Sequence, residues 1–244
     1  IAAAKAITNP AKRVWGISQP VQFWELYKVA AQAGGGLTVT PTVQIDTPEN
    51  RAAAHYLVDK VTVEHIMPTD AEMSGVGDTD MFLNQQLGMI VTGIWMFDQF
   101  SNDATFNWDV AVEPGGVKKA THFFSNAAVV SRTSKVPEAA YKWVEFLAAN
   151  PAVVEARIAT NWELSALSLA QADALEAYLA KPVPANRKAV FESLEFAVNP
   201  PVIENQPLLS DVINQELEAA RLGTKTVEQA LADAQKRVEE LVKK

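Results

Sequence analysis

The segment that decides the fold is residues 78–98, which read DTDMFLNQQLGMIVTGIWMFD. Its first ten residues predict a helix over 78–87, and residues 89–92 form a short apolar run that is typical of a buried strand. Gly93 ends this run, and the residues after it open a second helix. A strand enclosed between two helices is the repeating unit of an α/β fold.

The rest of the chain extends this alternation on both sides. Further strands are expected over 13–17, 37–40, 107–112 and 123–131. Helices are expected over 1–9, 21–32, 47–60, 137–149, 168–181 and 185–197, and three more are expected to begin at Pro151, Pro207 and Thr226. Thr47 is the expected N-cap of the helix at 47–60, and Thr226 begins a capping box. In the helix from Pro207, Leu209, Ile213 and Leu217 form one apolar stripe. Strands that alternate with helices, followed by helices alone, predict the α/β class.

The composition excludes several classes of protein. The chain has 244 residues, 48% of them hydrophobic, and a net charge of −8, so it is globular and lacks the basic surplus of a general nucleic-acid binder. It has no cysteine and three histidines without a metal-binding spacing, so neither a disulfide scaffold nor a zinc site is expected. No cofactor motif is present, and Gly34-Gly35-Gly36 closes a helix rather than opening a phosphate loop.

The first residues carry no targeting signal. Residues 1–7, IAAAKAI, lack the basic region and the long apolar region of a signal peptide. No apolar run has the length of a membrane span. The start is typical of the inside of an amphipathic helix, so we expect a fragment or a processed product.

Aromatic residues are the most informative candidates for a binding site. Phe23, Trp24, Trp95 and Trp108 fall at or beside predicted strand ends and turns. A sugar ring has apolar C–H faces and a belt of hydroxyl groups, so flat aromatic faces with nearby amides or carboxylates suit it. Such residues also fill cores, and a core role remains the alternative for each single tryptophan, whereas the residues around Trp95 favour a binding role for it.

Five stretches, taken in order, resemble one protein family. They are VWGI at 14–17 with FW at 23–24, DMFLNQQLGMIVTGIW at 80–95, WDVAVEPG at 108–115, SKVPEAAYKWVEFL at 134–147 and GTKTVEQAL at 223–231. Each is degenerate alone, but their order over nearly the whole chain resembles the extracytoplasmic solute-binding proteins of carbohydrate ABC importers, the maltose-binding-protein-like group. The chain departs from the family at 123–126, FFSN, where a glycine-rich turn is common.

This resemblance implies a type II periplasmic-binding-protein fold of two α/β lobes. Residues 1–121 and 183–244 would form the C-terminal lobe as one discontinuous domain with a central sheet. Residues 122–182 would belong to the N-terminal lobe and include a crossing strand. The implied mechanism is ligand capture by hinge closure.

The resemblance also implies the site and the partners. The candidate ligand-binding residues are Trp95, Trp24, Phe23, Gln22, Gly93, Asp98 and Asn126, and no catalytic or metal-binding residue is expected. Gly93 is expected at the end of a strand where backbone and ligand come close, and Asp98 one helical turn after Trp95. Helix capping or a solvated surface remains the alternative for Gln22 and Asp98.

The implied function is to bind a sugar or oligosaccharide outside the cytoplasm and deliver it to an ABC importer. The partners would be the carbohydrate and the membrane permease subunits, without nucleic acid, and the intact protein would be a monomer in the periplasm or anchored outside the cell. Two alternatives remain: a binding protein for another small solute, such as a polyol phosphate or a polyamine, and a glycoside hydrolase.

Overall fold

The computed structural model of this protein describes residues 1–161 and 172–243. Within these ranges lie α1 (Ala2–Ile7), α2 (Phe23–Gln32), α3 (Pro48–Thr62), α4 (Asp70–Met73), α5 (Asp78–Leu83), α6 (Phe97–Asp103), β1 (Thr121–His122), α7 (Pro137–Ala149), α8 (Pro151–Ala159), α9 (Ala172–Leu179), α10 (Lys188–Leu194), β2 (Ala197–Val198), α11 (Gln206–Arg221) and α12 (Val227–Val242). Part of the helix predicted at 168–181 lies outside the described residues.

The chain divides into two structural units. Unit 1 comprises residues 1–91, 113–123 and 193–244, and unit 2 comprises residues 92–112 and 124–192. These units do not coincide with the predicted lobes, since residues 92–112 group with 124–192 and the later boundary falls at 192 rather than 182. The lobe assignment itself stays a prediction.

The core of unit 1 is formed by four helices, α2, α3, α11 and α12. Phe23 and Leu26 of α2 lie in one buried cluster with Leu57 of α3. The predicted stripe of α11 is confirmed, since Leu209, Ile213 and Leu217 are buried in the same core. Apolar residues one helical turn apart therefore hold this unit together.

Predicted helix starts are confirmed where a side chain caps the helix. The Thr47 hydroxyl accepts from the Asn50 amide at 3.2 Å and starts α3. At the start of α12 the predicted capping box is present: Thr226 accepts from the Gln229 amide at 3.2 Å, and the Gln229 side chain accepts from the Thr226 amide at 3.0 Å. Such caps depend on neighbours in sequence, so the sequence predicts them well.

The predicted strands are mostly wrong. The described residues contain one sheet, in which β1 pairs with β2 in parallel, with Thr121 opposite Ala197. The expected strands at 13–17, 37–40 and 89–92 are reduced to isolated bridges, namely Val14 to Asn9, Trp15 to Leu87, Thr38 to Gln44 and Ile90 to Ser18. Residues 89–92 are partly or largely exposed. Residues 107–112 and 124–131 form no strand. An apolar run becomes a strand only when a partner strand pairs with it.

Unit 2 has a smaller set of buried residues. Phe97 and Phe100 of α6 are buried against Trp108, with ring centroids 5.8 and 5.6 Å apart. Val154 and Ile158 of α8 pack with Tyr178 of α9. In the described part of the chain, no helix has the length and apolar character that a membrane span requires.

Candidate functional site

The first turn of α2 carries three of the predicted ligand-binding residues. Gln22 is the N-cap residue, but its side chain makes no capping hydrogen bond. Asn214 of α11 takes over that role, because its Oδ1 atom accepts from the backbone amide of Phe23 at 2.7 Å. The capping alternative for Gln22 is therefore wrong.

Phe23 corrects the sequence prediction. Its side chain is 0% exposed and lies in the core of unit 1. A ring that is fully enclosed by protein has no face left for a sugar, so Phe23 is a core residue rather than a ligand-binding residue in this structure.

Trp24 differs from the rest of its helix. Each of the other nine residues of α2 is buried, whereas Trp24 is half-buried at the edge of the core. Its ring centroid lies 5.3 Å from that of Phe23 and 6.2 Å from that of Tyr27, in edge-to-face arrangements. Tight packing below Trp24 thus fixes the direction of a ring that keeps some exposed surface.

In unit 2, three candidate residues, Gly93, Trp95 and Asp98, lie at the turn before α6 or in its first turn. Ile94–Met96 form a short 3₁₀ helix with Gly93 as its N-cap. The ring of Trp95 folds back onto Gly93, where an added Cβ atom would overlap the six-membered ring. Gly93 is therefore required by this close approach and not by its backbone angles, which are extended.

Trp95 is exposed while the residues after it are anchored. Its side chain is 47% exposed, and its ring meets that of Phe124 edge to face at 6.0 Å. Phe97 and Phe100 on the next turns are buried. The buried side of α6 thus holds in place an aromatic ring that faces solvent.

Asp98 and Asn126 are also exposed in unit 2. The Asp98 carboxylate accepts from the Asn102 side chain at 3.2 Å, a bond between neighbouring turns of α6. Asn126 lies after β1 in a stretch without regular secondary structure rather than in the predicted strand over 123–131. Gln22 and Trp24 therefore belong to unit 1, and Gly93, Trp95, Asp98 and Asn126 belong to unit 2.

Replacing Gly93 with alanine is expected to push the Trp95 ring away from the backbone, because the new methyl group would occupy the same space. The near-ultraviolet circular dichroism of the tryptophans should change, while the far-ultraviolet spectrum stays the same. Gly77→Ala is the matched control, since an added Cβ at Gly77 meets no atom within 4 Å. Equal near-ultraviolet spectra for the two variants would contradict the packing of Trp95 on Gly93.

A buried polar network in unit 1 was missed by the sequence analysis. Lys28 and Lys60 are each 1% exposed, and Gln19 and Glu25 are also buried. The Gln19 side chain donates to Glu25 at 2.6 Å and accepts from the Lys60 ammonium at 2.7 Å. Lys60 also donates to the Tyr56 carbonyl at 2.9 Å and lies over the Tyr56 ring.

The network shifts the pKa values of its members. Burial would raise the pKa of Glu25, but the hydrogen bond from His122 and the charge of Lys28 outweigh it and lower the pKa to about 2. Burial lowers the pKa of Lys60 to about 7, against the attraction of Glu113 and Glu25. The sequence signal for this network was the presence of Glu25 and Lys28 in the mainly apolar helix α2, because buried charged groups need polar partners.

Residues 1–154 match the family model described as bacterial extracellular solute-binding protein. The chain belongs to the bacterial extracellular solute-binding protein family. The match covers more than half of the chain and includes the first two candidate segments, at 22–24 and 93–98. A comparison with curated protein sequences gives no match.

Solved structures of solute-binding proteins share the fold of this family member. An ABC substrate-binding protein from Listeria monocytogenes, in complex with cycloalternan, is 43% identical with a TM-score of 0.94, over 99% of this chain and 62% of that chain. A solute-binding protein from Thermotoga lettingae bound to α-D-tagatose is 21% identical with a TM-score of 0.79, over 98% and 62% of the two chains. A maltose/maltodextrin-binding domain from Bdellovibrio bacteriovorus bound to maltotriose is 14% identical with a TM-score of 0.73, over 100% and 65%.

These comparisons confirm the predicted fold type. The neighbours have the type II periplasmic-binding-protein fold, and this solute-binding protein matches part of it. The chain spans about 62% of the length of the Listeria monocytogenes protein. The family and its solved members are named for binding solutes and not for catalysis.

Proposed function

We propose that this chain binds a sugar or oligosaccharide outside the cytoplasm and passes it to the permease subunits of an ABC importer, without catalysis. Family membership supports a solute-binding role. The 43% identical protein from Listeria monocytogenes is in complex with cycloalternan, which makes a cyclic oligosaccharide the first ligand to test.

The observation that carries this proposal is the exposed ring of Trp95 on an anchored turn. Gly93 leaves room for the ring, and buried Phe97 and Phe100 hold the following helix. An aromatic face with a fixed direction loses little conformational freedom when a sugar ring stacks on it. Trp24 offers a second ring with a fixed direction in unit 1.

Stacking alone does not orient a sugar, because hydroxyl groups need donors and acceptors in fixed places. Gln22 supports this part of the proposal, since its amide is not used as a helix cap. The exposed Asp98 carboxylate and the exposed Asn126 amide supply further groups of suitable chemistry. We keep Gln22, Trp24, Gly93, Trp95, Asp98 and Asn126 as the proposed ligand-binding residues.

The lobe assignment and the mechanism also remain proposals. Residues 1–121 with 183–244 are proposed to belong to the C-terminal lobe and residues 122–182 to the N-terminal lobe. The boundaries between the two structural units fall at other residues. Ligand capture by hinge closure requires that the sugar bind the closed state more tightly than the open state. The intact protein is proposed to act as a monomer.

The experiment that tests the function is a thermal-shift and calorimetry series with cycloalternan, maltotriose and α-D-tagatose. A ligand that binds the folded state raises the melting temperature by mass action. Release of reducing sugar from maltotriose would contradict a pure binding role and indicate hydrolysis. No melting shift with any of the three sugars would count against this ligand class.

Trp95→Ala is expected to weaken cycloalternan binding by about 1–3 kcal/mol, by analogy with the stacking of bases on aromatic rings. The melting temperature without sugar should change little, because 47% of the side chain is already exposed. Calorimetric titration measures the change. The matched control is Trp143→Ala, an exposed tryptophan of unit 2 that stacks on Phe146 outside the candidate residues. Equal losses of affinity in the two variants would remove Trp95 from the site.

A further inference from the structure

Residues 113–123 are held at both ends by one helix. They belong to unit 1, while the stretches before and after them, 92–112 and 124–192, belong to unit 2. At the start of the segment, Glu113 accepts from the Lys28 ammonium at 2.5 Å. At its end, His122 Nε2 lies 2.7 Å from Glu25 Oε1. Glu25 and Lys28 are one turn apart on α2, and their side chains also meet at 2.8 Å.

Backbone groups hold the middle of the segment against the same helix. The Val117 amide donates to the Gln32 carbonyl at 2.8 Å, and the Gln32 side chain donates to the Ala120 carbonyl at 2.9 Å. At Thr121 the amide donates to the Phe196 carbonyl at 3.0 Å, next to the β1–β2 pair. Three parts of α2, at Glu25, Lys28 and Gln32, therefore hold residues 113–123.

The His122 ring has two polar neighbours, Glu25 and Tyr27, and the pKa of each is shifted. Hydrogen bonding to His122 and the charge of Lys28 overcome burial and lower the pKa of Glu25 to about 2, so this carboxylate is ionised at neutral pH and acts as the hydrogen-bond acceptor for His122 Nε2. Burial and the charge of Glu25 raise the pKa of Tyr27 to about 12, so its hydroxyl is intact. The Tyr27 hydroxyl oxygen lies 2.8 Å from His122 Nδ1, within hydrogen-bond distance.

The same helix begins with two of the proposed ligand-binding residues. Trp24 directly precedes Glu25, and Gln22 lies three residues before it, whereas the Glu25 side chain is buried. Because a packed helix moves as a rigid body, displacement of its first turn is passed to the groups bonded to Glu25 and Lys28.

We propose that Glu25 is a positioning residue, which ties residues 113–123 to the first turn of α2 through His122 so that sugar contact at Gln22 and Trp24 is transmitted to this segment. The transmission rests on the proposed function, whereas the tie itself does not. Glu25 acts through other residues and makes no contact with the sugar.

The test is hydrogen–deuterium exchange with and without cycloalternan in wild type, Glu25→Gln and His122→Gln. The amides of Val117, Lys118 and Thr121 report on the segment, and the amides of α11 and α12 report on the rest of unit 1. The matched control is Glu228→Gln, which alters an exposed histidine–carboxylate pair of the same unit, His55 Nε2 with Glu228 Oε1 at 2.9 Å.

We expect exchange of the three reporter amides to be faster by about tenfold or more in Glu25→Gln without sugar, since a neutral amide binds Lys28 and His122 less strongly than a carboxylate and local opening then costs less free energy. In wild type and in Glu228→Gln, cycloalternan should slow their exchange, and in Glu25→Gln this effect should be lost. His122→Gln, which replaces the imidazole of the same contact with a neutral amide, should behave like Glu25→Gln and is the deciding variant if Glu25→Gln does not fold.

Two results would overturn the inference. The first is unchanged exchange of the reporter amides in both variants without sugar. The second is sugar protection that persists in both variants. If wild type binds no cycloalternan, the proposed ligand fails, and the sugar-free comparison alone then supports or overturns the tie.

Discussion

Between pH 7 and 10.5 the free energy of unfolding of the wild-type protein is expected to rise, and replacing Lys60 with methionine should abolish this rise. Burial lowers the pKa of Lys60 from 10.5 in the unfolded chain to about 7 in the folded protein. Between these values the unfolded chain binds a proton that the folded protein does not bind. Stability therefore increases as the pH rises, by up to about 1.4 kcal/mol per pH unit from this group.

The groups that face Lys60 make this effect specific. Its ammonium group touches Gln19 and the carbonyl and ring of Tyr56, while Glu25, Glu113 and Lys28 lie close enough to influence its charge. Urea unfolding of wild type and Lys60→Met at pH 7, 8, 9 and 10 measures the difference. Lys60→Gln, which keeps a donor for Gln19 but does not titrate, is the control. Its unfolding free energy should depend on pH in the same way as that of Lys60→Met. A wild-type slope parallel to that of both variants would show that Lys60 does not change its charge in this range.

Asn50→Ala is expected to lower the unfolding free energy by about 3 kcal/mol, because it leaves several buried backbone groups without partners. Asn50 is 0% exposed. Its Oδ1 atom accepts from the Gly36 amide at 3.0 Å, and its Nδ2 atom donates to the carbonyls of Gly36 and Ile45 at 3.0 and 3.1 Å. One side chain thus connects α3 with the loop between α2 and α3.

Chemical unfolding measures this loss, and two further variants define its cause. Asn50→Asp keeps the acceptor for Gly36 but places a carboxylate oxygen against two carbonyls, so it should be at least as unstable as alanine. Asn205→Ala is the control, since Asn205 precedes α11 without capping it and is exposed. If Asn50→Ala cost no more than Asn205→Ala, the bonds to Gly36 and Ile45 would contribute nothing.

The helices could be predicted from the sequence because their signals are local. Pro137 opens α7 and Thr226 caps α12, as predicted, and both signals lie within one turn of the helix start. The strands could not be predicted in the same way. Residues 107–112 and 124–131 have the right composition, but pairing depends on residues far away in sequence, and it is not found there.

The candidate site shows the same limit at the level of single residues. Aromatic neighbours such as Phe23 and Trp24 look alike in sequence, and only the packing of α2 against α3 and α11 decides that Phe23 is buried. The exposed state of Trp95 depends on the close contact with Gly93. The network of Glu25, Lys28 and Lys60 was missed because charged residues are rarely buried unless paired, and pairing requires the fold.

The packing of α2 has a consequence for directed evolution of this protein. Nine of its ten residues are enclosed, and Trp24 alone reaches the surface. A library that randomises the codons of this helix should return clones with varied side chains at position 24 and near-constant ones elsewhere. If Trp24 contacts the ligand as proposed, selection for altered binding can act on that single codon, and the same mutations leave the folding of unit 1 intact.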